Sequence, residues 1–374
     1  MNRRHFAAAM VATLFGAGMG ASAIAADIDY GKPGTPVKLV VGYQPYYTQS
    51  WSGVVMRGKK FYEKYLPKGS EIEFQIGLQG AIIVNNMLAG KQHIGYMGDM
   101  PAIVSTTKQD VADVRLVANL GLAYDQCNAF LVRNDAPQFK DDKEAIKWLD
   151  GKTVAVPKGS CTDRFAQATF KRFNIQPKEY LNQNIEVITS NFRAGKLDAA
   201  VMWHPTTSRL VDEGLARLIA TGKSVQENDG GFLAMRADLI AQRPDVVKGW
   251  LQAELDAQLY IADPKNAAEV IKMAKEQTTG FSEKVLWNSL YGRYPDNAGG
   301  GDMRNTLHYT FTPEARELIN RAATFLHSIK SINVEKVRPE AIDSKWTEEI
   351  LKERGLKAPI AEVKALPASQ APKN

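Results

Sequence analysis

The chain has 374 residues, with 47 Lys and Arg against 41 Asp and Glu, and its net charge of +6 is spread along its length. That dispersion suits small anions and excludes the concentrated basic surface that nucleic acid requires. Two cysteines and five histidines, with no H-x-H or H-E-x-x-H grouping, offer no metal site, and no cofactor motif is present.

The N-terminal "MNRRHFAAAMVATLFGAGMGASAIAA" places Arg3 and Arg4 ahead of an apolar stretch, Phe6 to Ile24, and ends with Ala23 and Ala25 in an A-x-A relation. This is the pattern of a secretory signal peptide over residues 1–25, cut after Ala25 or Ala26. Gly16, Gly18 and Gly20 interrupt the apolar run, which argues against a retained anchor. The arginine pair also fits a twin-arginine signal, so the export route stays open. Without Arg3 and Arg4 the balance is 45 basic to 41 acidic residues. No later segment approaches the roughly 20 apolar residues of a membrane helix. The mature length exceeds one ordinary core, so two lobes are expected.

In chain order, "VKLVVGYQPYYTQS" reads as a buried strand and a loop, followed by a helical stretch over 51–65. "EIEFQIGLQGAIIVNNMLAG" repeats the unit, with a loop at 77–80 and a helix ending at Gly90. "HIGYMGDMPAIVSTT" does so again, with Pro101 in the first helical turn, where its missing N–H costs nothing. "TVAVPKGSCTDRFAQATFKRF" is a fourth copy, in which Phe165, Thr169 and Phe173 form a stripe at helical spacing beside Ala166 and Phe170. "AAVMWHPTTSRLVDEG" is a fifth. Such alternation predicts open, mostly parallel sheets with ligands beyond the carboxyl ends of the strands, where all of these loops lie. The strands at 128–135 and 230–239 bracket the middle third and are expected to run side by side between the lobes. Helices follow over 245–261, 266–276 and 313–329, then a loop over 294–305 reads as flexible, and the Ala/Pro/Lys-rich tail from 359 reads as disordered.

Five stretches together resemble the periplasmic substrate-binding proteins of ABC importers, in the nitrate/sulfonate/taurine group: "VGYQP", "NMLAGKQHIGYMGDMPAIV", "LDGKTVAVPKGS", "FRAGKLDAAVMWHP" and "RPDVVKGWLQAELDAQLYI". The resemblance implies an α/β two-lobed periplasmic binding protein fold of type II-like form, each lobe a mostly parallel sheet flanked by helices, joined by two hinge strands. One lobe would comprise 26–127 plus 230–358, the other 128–229, with 359–374 a tail. It implies a monomeric clamp that captures a small organic anion and delivers it to an inner-membrane permease with its ATPase, without nucleic acid or cofactor. Carried onto this chain, the ligand site comprises Gln44, Pro45, Tyr46, Gln79, Gly80, Asp99, Met100, Tyr124, Ser160, Cys161, Thr162, Asn191, Trp203 and His204. His204 stands where many relatives have an acidic residue, which disfavours ligands bearing an amine.

Several residues carry a second reading. "KGSCT" is either an anion cradle at a helix N-terminus or an ordinary capped turn. Asp99 and His204 can each cap a helix, and Trp203 can be core. At least one of Tyr43, Tyr46 and Tyr47 is expected to face the ligand. Cys127 and Cys161 can pair in an oxidising compartment. Alternatively, Cys161 at a helix N-terminus with His204 as base would make an enzyme, although no third, orienting group is evident. A sensory ligand-binding module is the remaining alternative.

Overall fold

The computed structural model describes residues 28–372, and the signal peptide expected at 1–25 lies outside them. Twelve strands form two sheets: β1 Lys38–Tyr43, β2 Glu71–Ile76, β3 Ile94–Gly98, β4 Val114–Ala123, β5 Ala129–Arg133, β6 Thr153–Val156, β7 Glu179–Asn182, β8 Ala199–Met202, β9 Ala216–Thr221, β10 Asp229–Arg236, β11 Met303–Leu307 and β12 Ala361–Lys364. The first sheet has the order β12-β11-β4-β10-β3-β1-β2 and the second β7-β6-β8-β5-β9. Each is sandwiched between two apolar clusters, as sheets with helices on both faces require.

Strand–loop–helix units appear where the periodicity places them. β1 leads to the helix Ser52–Lys59, which stops where Lys60 turns left-handed at φ 53° before a short 3-10 turn. β2 leads to the helix Gly80–Leu88, β3 to Asp99–Thr106, β6 to Cys161–Phe173 and β8 to Thr206–Asp212. The long helices are Pro244–Ala262, Ala267–Gln277 and Pro313–Ser328.

Both sheets are mixed, which corrects the expectation of mostly parallel ones. β1 pairs in parallel with β2 and β3, and β6 with β7 and β8. The pairings of β10 with β3 and β4, of β5 with β8 and β9, and of β11 with β4 and β12 are antiparallel. The reason is that the chain leaves one sheet along β4 and returns along β10, entering and leaving the other along β5 and β9. The strands expected side by side at 128–135 and 230–239 therefore lie in different sheets. What run together are the crossings, 124–128 and 222–228. The Gly222 N–H donates to the Tyr124 and Asn128 carbonyls at 2.7 and 3.1 Å, and the Asn128 amide donates to the Glu227 carbonyl at 2.7 Å. A Cβ on Gly222 would sit 1.9 Å from the Glu227 carbonyl oxygen, so only glycine permits this approach.

The tail expectation is also corrected. β12 adds antiparallel to β11, Val363 is buried, and the Ile360 and Leu366 N–H groups donate to the Leu307 and Tyr291 carbonyls at 2.8 Å. Likewise 303–305 of the supposed flexible loop belong to β11.

Beneath β3, Glu254 is fully buried without a cation. It accepts from the Tyr96 hydroxyl and the Gln258 amide at 2.9 Å each, and burial pushes its carboxyl up to about 7. A carboxyl whose folded value is raised contributes stability that is complete below its unfolded value near 4.5 and is lost as pH rises through about 7. Urea unfolding is therefore expected to show stability falling from this source by roughly 3 kcal/mol between pH 5 and 8, and Glu254→Gln to flatten that slope. An unchanged slope in the variant would assign the titration elsewhere.

Candidate ligand-binding site

Between the sheets, a cavity of about 320 Å³ opens at the carboxyl ends of the parallel strands. Gln44 and Tyr47 reach it from the loop after β1, Gln79 and Gly80 from that after β2, 157–161 from that after β6, and Trp203 from the end of β8. Tyr47 and Trp203 meet edge to face with centroids 6.5 Å apart, closing one side with aromatic surface.

Two helix N-termini converge here, one from each lobe. The N–H groups of Gly80 and Ala81 begin the helix Gly80–Leu88, and those of Cys161 and Thr162 begin Cys161–Phe173. None of the four donates to an acceptor among the described residues, and neither helix has a side-chain cap. The Ser160 hydroxyl instead donates to the Pro157 carbonyl at 2.6 Å. Gln44 is only 5% exposed, yet its side-chain Oε1 has no partner and lies 3.5 Å from where a Gly80 Cβ would stand. Rotation of this amide can offer either its carbonyl or its NH2 to a guest. The stripe Phe165, Ala166, Thr169 and Phe170 is buried in the second lobe and fixes the direction of the Cys161 helix.

Cys127 and Cys161 form a disulfide with Cα atoms 6.1 Å apart. It ties the outgoing crossing to the start of this helix and packs against Tyr47 and Trp203. Cys161 therefore has no free thiol to act as a nucleophile.

The structure thus gathers Gln44, Gln79, Gly80, Ser160, Cys161 and Trp203 on the cavity wall, and keeps the side chains of the other sequence candidates off it. Pro45 is buried, its carbonyl accepting from the Trp51 indole at 2.8 Å. Tyr46 faces a neighbouring cavity and is hydrogen-bonded to Thr279. Met100 is core. Tyr124 lies on the outgoing crossing, held through its carbonyl. Thr162 is buried and offers only its N–H, with its hydroxyl 2.6 Å from that of Ser160. Asn191 donates to Gln183 at 3.0 Å.

His204, which follows Trp203 beyond β8, is fully buried, with Nε2 2.8 Å from the Tyr294 hydroxyl and Nδ1 2.9 Å from that of Ser208. Burial, with the nearby Arg304 charge, holds its imidazole well below the ordinary value, so it is neutral. Pro205, not His204, precedes the helix as its cap residue. Asp99 stands in the first turn of its helix, with Gly98 at the cap position.

Asp99 makes an ion pair that the sequence reading missed. Its carboxylate is fully buried and meets Arg164 of the other lobe at 2.9 Å, while Arg164 also bonds Glu227 and the Asn228 carbonyl at 2.9 Å each. Arg164 directly precedes the apolar stripe of its helix, and that placement was the only signal of its burial. Beside this pair, Asp229 is buried without a cation and accepts from the Cys127 N–H at 3.1 Å. Burial raises its carboxyl well above the ordinary range.

Two α/β lobes joined by paired crossings, with a cavity where the carboxyl ends of their parallel strands meet, are the fold of the two-lobed periplasmic binding proteins. Over residues 32–275 the chain matches the NMT1-like family, and it belongs to that family. It is 28% identical over 218 residues to a taurine-binding periplasmic protein of Escherichia coli K12, covering 55% of this chain and 64% of that protein, just under two-thirds of the relative's length. Its fold is similar to that of the periplasmic aliphatic sulphonate binding protein SsuA from E. coli, with a TM-score of 0.66 at 20% identity, covering 82% of this chain and 98% of the other. The desulfurization enzyme DSZB shares the fold, with a TM-score of 0.62 at 16% identity, covering 85% of this chain and 99% of the other.

Proposed function

We propose that this protein is the solute-binding component of an ABC-type import system, a monomer that captures a small organic anion, sulfonate or carboxylate, in the periplasm and hands it to a membrane permease with its ATPase. One observation carries the reading: at two helix N-termini, one from each lobe, four backbone N–H groups have no partner among the described residues, and both termini border the cavity that the unsatisfied amide of Gln44 also lines. A cavity of this kind holds an anion by direct donors and helix dipoles, and it does so best when the two lobes are together. The aromatic wall of Tyr47 and Trp203 and a volume of about 320 Å³ favour an organic body over a bare inorganic ion. The disulfide at Cys161, and a neutral His204 bonded to Tyr294 and Ser208, leave no Cys–His pair, which supports binding without catalysis.

A thermal-shift screen of sulfonates and carboxylates tests this directly, since a ligand at 100 times its dissociation constant adds about 2.7 kcal/mol. No shift with any acid would overturn the reading. Thr162→Pro removes one of the four N–H groups at a first-turn position that accommodates the ring. Titration calorimetry is expected to show roughly tenfold or more weaker binding of an acidic ligand, because a hydrogen bond to a charged group is worth about 1.5–3 kcal/mol. Unchanged affinity in a folded variant would remove the Cys161 helix from the site.

A further inference from the structure

Beyond Trp203 lies a second cavity, of about 250 Å³, whose walls include Tyr46, Gln79, Glu186, Trp203, Arg209 and Phe281. Gln79 and Trp203 line both cavities, so the two adjoin across these side chains. The second mixes polar groups with aromatic ones, Tyr46 and Phe281 lying with centroids 6.0 Å apart.

Its distinctive group is Arg209. This half-buried guanidinium has no carboxylate within 4.0 Å and makes no side-chain hydrogen bond among the described residues, and its Nε is buried without a partner. Its guanidinium carbon lies 4.8 Å from the Phe281 ring. The more deeply buried arginines differ: Arg164 holds Asp99, Arg236 holds Asp238, Arg243 holds Asp245 and Arg304 holds Asp125. The acidic residue of this cavity, Glu186, is exposed and makes no ion pair with Arg209. Burial lowers the basicity of Arg209, but an arginine keeps its proton throughout the working range of a protein. A charged, planar, five-donor group left unpaired in an aromatic cavity is matched by a carboxylate or sulfonate, which it can hold through two parallel hydrogen bonds.

We infer that Arg209 and the aromatic cavity beyond Trp203 form a second acidic-group subsite, and that the ligand class is a bifunctional organic anion. One acidic group sits at the paired helix N-termini, the apolar or aromatic body lies along Trp203, and the second acidic group meets Arg209. This rests on the reading of the first cavity as an anion site and narrows it, since a monofunctional sulfonate leaves Arg209 unpaired.

The test compares benzenesulfonate with 4-sulfobenzoate by titration calorimetry on the wild type and on Arg209→Gln, with thermal melting to confirm that the variant is folded. The wild type is expected to bind sulfobenzoate at least about tenfold more tightly, and Arg209→Gln to bring the ratio of the two affinities close to one. Loss of a merely structural arginine would weaken both ligands alike and leave the ratio standing, which would overturn the inference. Benzenesulfonate binding by the wild type with no preference for sulfobenzoate would overturn the second subsite and leave the first intact. Failure of both to bind would overturn the two readings together.

Discussion

Replacing Arg164 by methionine is expected to lower the unfolding free energy by about 3–5 kcal/mol in urea denaturation, because it strands the fully buried carboxylate of Asp99. Burial already raises the Asp99 carboxyl, and the Arg164 charge is the main force opposing that rise. With the arginine gone the carboxyl rises further, so the deficit grows as pH climbs through the raised value that Asp99 has in the wild-type fold, below which it keeps its proton in both folded proteins. Adding Asp99→Asn to the variant removes the stranded charge and should recover part of the loss. A deficit below about 1 kcal/mol, or one that ignores pH, would show that this pair is solvated and does not hold the lobes together. The substitution also bears on ligand capture, since Asp99 and Arg164 belong to the two helices whose neighbouring turns border the cavity.

The second large effect belongs to the disulfide. Cys127→Ser with Cys161→Ser opens a loop whose ends lie 34 residues apart, and the loop-entropy model assigns roughly 3–4 kcal/mol to its closure. The same loss is expected on reducing the wild type, and thermal melting with and without a dithiol reductant measures it. A melting temperature indifferent to both treatments would mean that the packing of Tyr47 and Trp203 alone fixes the start of the Cys161 helix.

The strand–loop–helix units were legible because each is written in a few adjacent residues. Pro101 just inside a helix and the Phe165, Thr169 stripe specify local geometry without reference to the rest of the chain. Hence the loops that border the cavity were placed at the correct ends of their strands. Pairing was less legible. The segments at 128–135 and 230–239 are indeed strands, but which sheet each joins depends on the crossings between them, and Gly222 carries no local mark of the contact it permits. β12 was hidden because Pro359 and Pro367 dominate the composition around the short run Ala361 to Lys364. Asp99 and Arg164 stand 65 residues apart, and nothing local to either announces the other. His204 was expected at the ligand because it stands where many relatives have an acidic residue, whereas the chain beyond β8 sets it against Tyr294 and Ser208.

The two crossings, stitched by the Gly222 and Asn128 hydrogen bonds, make a ribbon two chains wide. Such a ribbon bends readily out of its plane and resists shear within it, because shear would break the bonds between its edges while bending only rotates the backbone on either side. The lobes are therefore left with one soft coordinate, a rotation, and with little freedom to slide past one another. Mechanically such a ribbon is a single-axis hinge, so one distance across the cleft suffices to specify the angle between the lobes.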